Sequence, residues 1–292
     1  MTLEVRAVGV SVLVQDSGRP GWAHLGVPRA GALDAPSAAF ANRLVGNDPS
    51  AACLEVLLGG LELVSDRSVW VAVTGAPCPV EVDGRAVGVL APVRLVAGVV
   101  LRLGVPERGL RSYLAVAGGI AVDPVLGSRS TDTLGGVGPA PVIAGDRLPV
   151  GSPTAAPATV DTPRSPTPGP LRLVPGPRAG HVEGDVVERL CGASYTVSPD
   201  SDRVALRLLG NPLPMARHDE LPSEGIVLGA VQVPPDGRPL VFLADHPTTG
   251  GYPVVAVVDQ EDLWQCAQLR PGERVGFARS GGRPGLTRAA RH

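Results

Sequence analysis

Short apolar runs follow one another along this chain, and glycine, proline and aspartate break them at close intervals. Leu3 to Val14 contains two β-type pieces, LEVRAV and VSVLV. From Cys53 to Leu103 the text is β throughout: CLEVLLGG, LELV, SVWVAVTG, PVEVDG, VRLVAG and VVLRLG. That is the rhythm of an antiparallel barrel or sandwich, with Glu55 and Glu62 expected at solvent-facing alternate positions. SYLAVAG is a further buried-looking strand, ending at Gly118 and Gly119, where the backbone must turn sharply or approach something closely. Helical spacing is rare. SAAFANRLVGN places Ala38, Ala41, Leu44 and Val45 on one face, with Asp34 as N-cap, Pro36 in the first turn and Gly46–Asn47 as the stop. HVEGDVVERL and DQEDLWQCAQL are two further short helices, and Gln268 lies at the end of the second. The expected class is mainly β with a few short helices.

Residues 152–170, SPTAAPATVDTPRSPTPGP, hold almost nothing to bury and read as a linker. The chain therefore divides into an N-terminal β half over 1–151 and a C-terminal β half over 171–284, with a tail at 285–292. In the second half, LRLVP, SYTV and SDRVALRLLG are strands. IVLGAVQV and PLVFLA form an antiparallel pair across a Pro-Asp-Gly turn, and ERVGFA closes the sheet.

Four polar, glycine-rich loops interrupt this β text. The first, Gln15 to Asp34, carries Asp16, Arg19, His24 and Asp34 and feeds directly into a helix N-terminus, which attracts anions. The second follows Gly118–Gly119 and carries Ser128, Arg129, Ser130, Thr131 and Asp132. The third joins Ser201–Arg203 with Ser223, Glu224 and Gly225. The fourth, DHPTTGGYP, carries Asp245, His246, Thr248, Thr249, Gly250, Gly251 and Tyr252. Two readings stand side by side. Asp/Arg and Asp/Ser pairs staple and cap their own turns, or the loops gather at one barrel mouth as a site for a small anionic or amide ligand. On the second reading, the catalytic candidates are Asp16, Arg19, His24, Arg129, Asp132, Arg203 and Asp245. The substrate-binding candidates are Gly118, Gly119, Ser128, Ser130, Ser223, Glu224, Gln232, Thr248, Thr249, Gly250, Gly251 and Tyr252.

Composition narrows the chemistry. Hydrophobic residues make up 44% and aromatics only 3%, so Val, Leu and Ala must fill the core. With net charge −2, no basic block and few aromatics, nucleic-acid binding is not expected. No apolar run approaches the ~20 residues of a membrane span, and no secretory signal is visible, so a cytoplasmic protein is expected. Cys53, Cys78, Cys191 and Cys266 are scattered without metal-ligand spacing, and no HExxH or EF-hand pattern occurs; no metal is expected. His181 and His292 look peripheral, and His218 sits in a polar loop. All 26 basic residues are arginine. The chain therefore cannot form a lysine Schiff base, carry biotin on its own lysine or supply a P-loop lysine. No GxSxG, GxxxxGK[ST] or strand-linked GxGxxG is present.

The same loops carry a resemblance. VQDSGRPGWAHLGVPRAGALD, ANRLVGND, LEVLLGG, YLAVAGGI, VLGSRSTD, SDRVALRL, SEGIVLGAVQVPPDGRPLVFLADHPTTGGYP and LRPGE resemble the 5-oxoprolinase C-subunit family over Leu3 to about Ala278. That family is also described as KipA, as allophanate hydrolase subunit 2 and as the biotin-dependent carboxyltransferase domain. Here SDR is followed by VALRL where GYRL is usual. The resemblance implies two cyclophilin-like β-barrel halves. It implies a complex with subunits A and B that opens 5-oxoproline to glutamate with ATP, the nucleotide held here or on a partner. Arg19, Arg129 and Arg203 would then stabilise developing charge, with Asp16, Asp132 and Asp245 orienting them or handling protons. Two alternatives come with the family. One is a biotin-dependent carboxyltransferase subunit acting on a urea-like amide, and the other a non-catalytic regulator that binds a KipI-like B-subunit partner.

Overall fold

The computed structural model describes residues 1–158, 168–217 and 221–281. The middle of the 152–170 linker, the 285–292 tail, His218 and His292 lie outside the described residues. The architecture is mainly β. A six-stranded antiparallel sheet runs in the order Arg147–Pro149, Thr2–Ala7, Leu61–Ser65, Val100–Leu103, Val80–Val82, Arg85–Ala86. A five-stranded sheet runs Ser11–Gln15, Cys53–Leu57, Arg111–Val116, Val69–Gly75, Val93–Leu95. The strand Arg111–Val116 is buried at every position, as expected for SYLAVAG, and Arg111 is buried with it.

An eight-stranded sheet takes up the rest. Its order is Arg274–Val275, Tyr195–Val197, Ala205–Gly210, Leu240–Phe242, Ala230–Gln232, Val254–Val258, Leu171–Pro175, Phe277–Arg279. Its first and last strands are separated in sequence by Gly276 alone, so the sheet curls until its two edges nearly meet. A two-stranded ribbon, Glu224–Gly225 with Thr249–Gly250, stands beside it.

Two large hydrophobic cores follow from these sheets, with a smaller cluster of Ala205, Ile226, Ala230, Leu240, Phe242 and Val254 in the second half. One is built from residues between Leu3 and Val150, the other from residues between Leu171 and Phe277, joined by Leu33 from the first half. Helix α1 (Ala35–Leu44) starts where the sequence predicts: Asp34 accepts a hydrogen bond from the Ser37 amide at 3.0 Å, and Pro36 occupies the first turn. Helix α2 (Val186–Gly192) is capped by Asp185. The third helical segment is a 3-10 turn, Gln260–Asp262, running into the single α-turn Leu263–Cys266.

The halves are joined by side chains that the sequence left without partners. Gln268 donates through Nε2 to Asp34 Oδ2 (2.8 Å) and to the Arg111 carbonyl (3.0 Å). Its Oε1 accepts from the Leu110 and Arg111 amides. Arg111 donates in return to the Ala267 carbonyl at 2.7 Å. Gly118 and Gly119, both at positive φ, form a turn. A Cβ on Gly118 would collide with the Gly151 carbonyl oxygen, and its amide donates to Asn47. No helix among the described residues is long and apolar enough to cross a membrane.

Candidate functional site

The Gln15–Asp34 loop is threaded along the seam between the halves. Its two limbs close on each other through Arg19 N–H to Arg29 O (2.7 Å) and Ala32 N–H to Asp16 O (3.0 Å). It reaches the second half through Ala30 N–H to Ala244 O (3.0 Å). Closure requires Gly18 at φ +82°, with the Arg29 and Ala30 carbonyl oxygens 2.6 Å from where a Cβ would stand. Gly18→Ala is expected to cost at least about 1–2 kcal/mol, since the left-handed conformation penalises any Cβ and this one also meets backbone. An unchanged urea midpoint would contradict that closure.

Asp16 is the hub of the seam. Its Oδ1 accepts from the Gly18 amide (2.8 Å) and from the Ser128 and Ser130 hydroxyls (2.6 Å each), and its Oδ2 accepts from the Arg129 amide (2.6 Å). Ser130 Oγ also accepts from the Asp16 amide. Arg19, only 1% exposed, donates to the carbonyls of Val125 and Ser130. Burial lowers its pKa, opposed by Asp132, Asp16 and Asp245. Gln15 Oε1, Arg19 Nη1 and Thr131 Oγ1 are buried here with no hydrogen-bond partner among the described residues. Asp132 is turned inward on its own loop, accepting from the Leu134 and Gly135 amides. Arg129 donates through Nε to the Val122 carbonyl.

Beside this hub, Arg203 crosses from the second half into the first. Its Nε and Nη2 bond both oxygens of Asp245 (2.9 and 3.0 Å), its Nη1 bonds Glu55 Oε1 (2.5 Å), and its Nη2 also donates to the Gly31 carbonyl (2.7 Å). Glu55 overturns its expected solvent-facing place. It is 3% exposed and also accepts from the Tyr113 hydroxyl and the Leu33 amide. The physical reason is that its strand is covered on both faces, so the alternate position is buried as well. Glu62 does face outward, paired with Arg102. Burial works against the Arg203 charge, but Glu55 and Asp245 together hold its pKa above the ordinary value. Burial pushes the Asp34 carboxyl and the Tyr113 hydroxyl up. Asp245, fully buried, also accepts from the Thr133 amide and hydroxyl.

His246 follows at 7% exposure, its Nδ1 donating to the Pro247 carbonyl at 2.7 Å. Burial depresses its pKa below the ordinary 6.5. The folded chain therefore holds this proton less tightly than the unfolded chain. The associated stability is present above that ordinary value and is lost as pH falls through the depressed one. The urea midpoint is expected to drop on acidification from about pH 7.5 to about pH 5.5, and His246→Gln is expected to flatten the drop. Equal pH profiles for the two proteins would contradict this.

Between the halves, at this seam, lies a cavity of about 400 Å³. Asp16, Arg29, Leu33 and Ala39 line it from the first half, and Leu243 and Trp264 from the second. Across Trp264 and Pro36, a neighbouring cleft of about 350 Å³ is lined by Asp34, Ser37 and Gln268. The N-terminal end of α1 thus has open space on both sides.

The four loops do not converge on one mouth. Asp16, Arg19, Ser128, Arg129, Ser130, Asp132, Arg203 and Asp245 meet at the seam. Ser223, Glu224, Thr248, Thr249, Gly250, Gly251 and Tyr252 gather instead around the ribbon, where Gln232 Nε2 donates to the Tyr252 carbonyl at 2.8 Å and Glu224 pairs with Arg178. His24 stands exposed on a 3-10 turn, Ala23–Leu25, stacked on Trp22. His181, expected at the periphery, is buried because Val182 bridges to Met215 and draws the segment onto the second core. Glu55, Arg29, Arg111 and Thr133 are the seam residues that sequence reading missed. Only the charge of Glu55 inside an apolar strand signalled one of them. Cys53, Cys78 and Cys266 are buried and free of disulfides, Cys78 accepts from the Ser112 hydroxyl, and burial pushes the Cys266 thiol up to about 12, which leaves it unreactive. No metal-binding cluster occurs among the described residues.

Comparison with known proteins agrees with this architecture. The family model described as "Carboxyltransferase domain, subdomain A and B" matches residues 25–279. The C subunit of 5-oxoprolinase from Escherichia coli is 38% identical over 279 residues, covering 94% of this chain and 90% of that protein. The crystal structure of TTHA0988 superposes with a TM-score of 0.86 at 40% identity over 95% of this chain, which spans only 55% of that one. The Kluyveromyces lactis urea amidolyase structure gives a TM-score of 0.89 at 28% identity, and this chain spans 18% of it.

Proposed function

Since the chain belongs to the carboxyltransferase domain, subdomain A and B, family, we propose that it is the C subunit of an ATP-dependent 5-oxoprolinase, working with subunits A and B. The observation that carries the reading is the cavity at the seam, lined by Asp16 and Arg29 of the first half and by Leu243 and Trp264 of the second, with Asp16 tied to Ser128 and Ser130 beside it. Its size suits a compact cyclic amide. Its apolar walls, Leu33, Leu243 and Trp264, exclude water from a lactam ring, and Arg29 supplies a cation for a carboxylate or a developing oxyanion. Arg203 and Asp245 bond each other and keep the walls in register. On this reading they are positioning residues rather than groups that touch substrate. ATP would activate the lactam carbonyl by phosphorylation. With no lysine and no phosphate cradle of the familiar kinds, this chain would hold the nucleotide by another mode, or a partner subunit would hold it.

Purified A, B and C subunits mixed with 5-oxoproline and ATP are expected to release glutamate, and omission of this chain to abolish release. No glutamate from a well-folded mixture would overturn the proposal. A second reading, biotin-dependent carboxyl transfer to a urea-like amide, is favoured by the likeness to the K. lactis urea amidolyase. The biotin would then arrive on another chain, because this one has no lysine to carry it.

A further inference from the structure

The cleft of about 350 Å³ beside the seam cavity has no part in the seam reading. Pro36 and Pro77 from the first half and Trp264 and Leu269 from the second give it flat, apolar walls. The buried charge in its lining, Asp34, is already satisfied. That carboxylate is 2% exposed and accepts from the Ser37 amide, the Ser37 hydroxyl and Gln268 Nε2. Gln268 in turn has both ends of its amide occupied. Arg108 and Glu273, the other charged lining residues, are exposed, where water and salt screen them.

Two polar groups that the seam cavity does not share are left over. Gln265 is 8% exposed, and its Oε1 is fixed by the Gly169 amide at 2.8 Å. Its Nε2 has no hydrogen-bond partner among the described residues, yet it is not sealed from water as the unpaired atoms of the hub are. With the rest of the residue buried, that donor opens on the cleft which Gln265 lines. Ser37 commits its one hydroxyl hydrogen to Asp34 Oδ2 (2.8 Å), which leaves its oxygen as an acceptor only. The two groups stand close along the lining, because Gln268 bonds Asp34 through its side chain and the Gln265 carbonyl through its amide. The cleft therefore offers one donor and one acceptor between flat apolar walls, with no free charge buried among them.

We infer that this cleft binds a neutral, flat heterocycle whose edge carries an acceptor beside an N–H donor, the chemistry shared by a nucleobase and a cyclic amide. The ring packs between the prolines and the Trp264 indole. Its acceptor takes a hydrogen from Gln265 Nε2, and its N–H donates to Ser37 Oγ. Trp264 and Pro36 wall both cavities, but the two share no charged or amide side chain, and the inference does not depend on the function proposed for the seam.

The test uses nitrogen-15 spectra of the full chain, titrated separately with adenosine and with 2-pyrrolidinone. At least one of them is expected to move the Gln265 side-chain amide and the Gly109 backbone amide in a saturable way. Gly31 and Ala32, which line only the seam cavity, are expected to stay in place. A response to adenosine identifies the source as a nucleobase, and a response to 2-pyrrolidinone alone identifies it as a cyclic amide. Purine riboside and N-methyl-2-pyrrolidinone lack the edge donor and are expected to bind at least about tenfold more weakly than their parents. Gln265→Glu keeps the acceptor that holds Gly169 and loses the donor, and it is expected to weaken binding at least about tenfold. Pro77→Trp, at an exposed position, fills the cleft without removing either group and is expected to abolish the response. No saturable response to either ring, a response at Gly31 and Ala32 instead, equal binding of the compounds without the donor, or full affinity in folded Pro77→Trp would each overturn the inference.

Discussion

Arg203→Ala is expected to destabilise the chain by about 3–5 kcal/mol. The guanidinium satisfies two buried carboxylates at once, Glu55 in the first half and Asp245 in the second, and holds the Gly31 carbonyl of the seam loop as well. Truncation leaves both carboxylates in place, out of water and short of their counter-charge. Arg111 Nε, 3.5 Å from Glu55, compensates one of them in part and leaves Asp245 to Thr133 alone. Urea denaturation measures the loss, and a change below about 1 kcal/mol would contradict the account. The Arg102–Glu62 pair is the internal control. It joins the same chemical groups with one-third to one-half of each side chain exposed, so Arg102→Ala is expected to cost at most about 1 kcal/mol.

Asp16→Ala comes second, with an expected cost on the order of 3 kcal/mol. Four donors converge on that carboxylate, two from backbone and two from buried serines. An alanine strands all four, and the loop carrying Ser128 and Ser130 loses its attachment to the Gln15–Asp34 loop. Amide hydrogen exchange at Gly18 and Arg129 is expected to accelerate together with the loss of stability. Wild-type protection at both amides would show that the hub does not hold the loops.

What the sequence makes legible is local. Helix α1 shows in its apolar spacing, and its start shows in Asp34 and Pro36, because a cap acts within one turn of the residue it serves. Strands show as apolar runs between turn residues, and Gly118 shows as a sharp turn because no other residue tolerates its backbone there. The polar loops are visible as loops, but their destinations are not. Arg203 meets Glu55 across 148 positions, and Gln268 meets Asp34 across 234. Nothing near either residue encodes a partner so far away. Glu55 reads as an outward position because strand alternation assumes one wet face, and tertiary cover removes that face. His181 misleads for the same reason, since its polar neighbours conceal a bridge to Met215.

The opening loop gains a definite place from this. Its tip is a surface turn, but its two limbs are the backbone on which the two halves meet, with Leu33 in the second core and Asp34 capping α1 in the first. The cavity along it is the proposed substrate site, and a single substitution tests that most directly. Ala39 lines the cavity from α1 and makes no side-chain hydrogen bond, so Ala39→Trp fills the space without removing any hydrogen-bonding group of the Asp16 hub or of Arg203. In a reconstituted complex of the three subunits, this variant is expected to assemble normally and to lose at least about tenfold in glutamate release from 5-oxoproline. Wild-type turnover by the assembled variant would contradict the assignment of substrate to the seam.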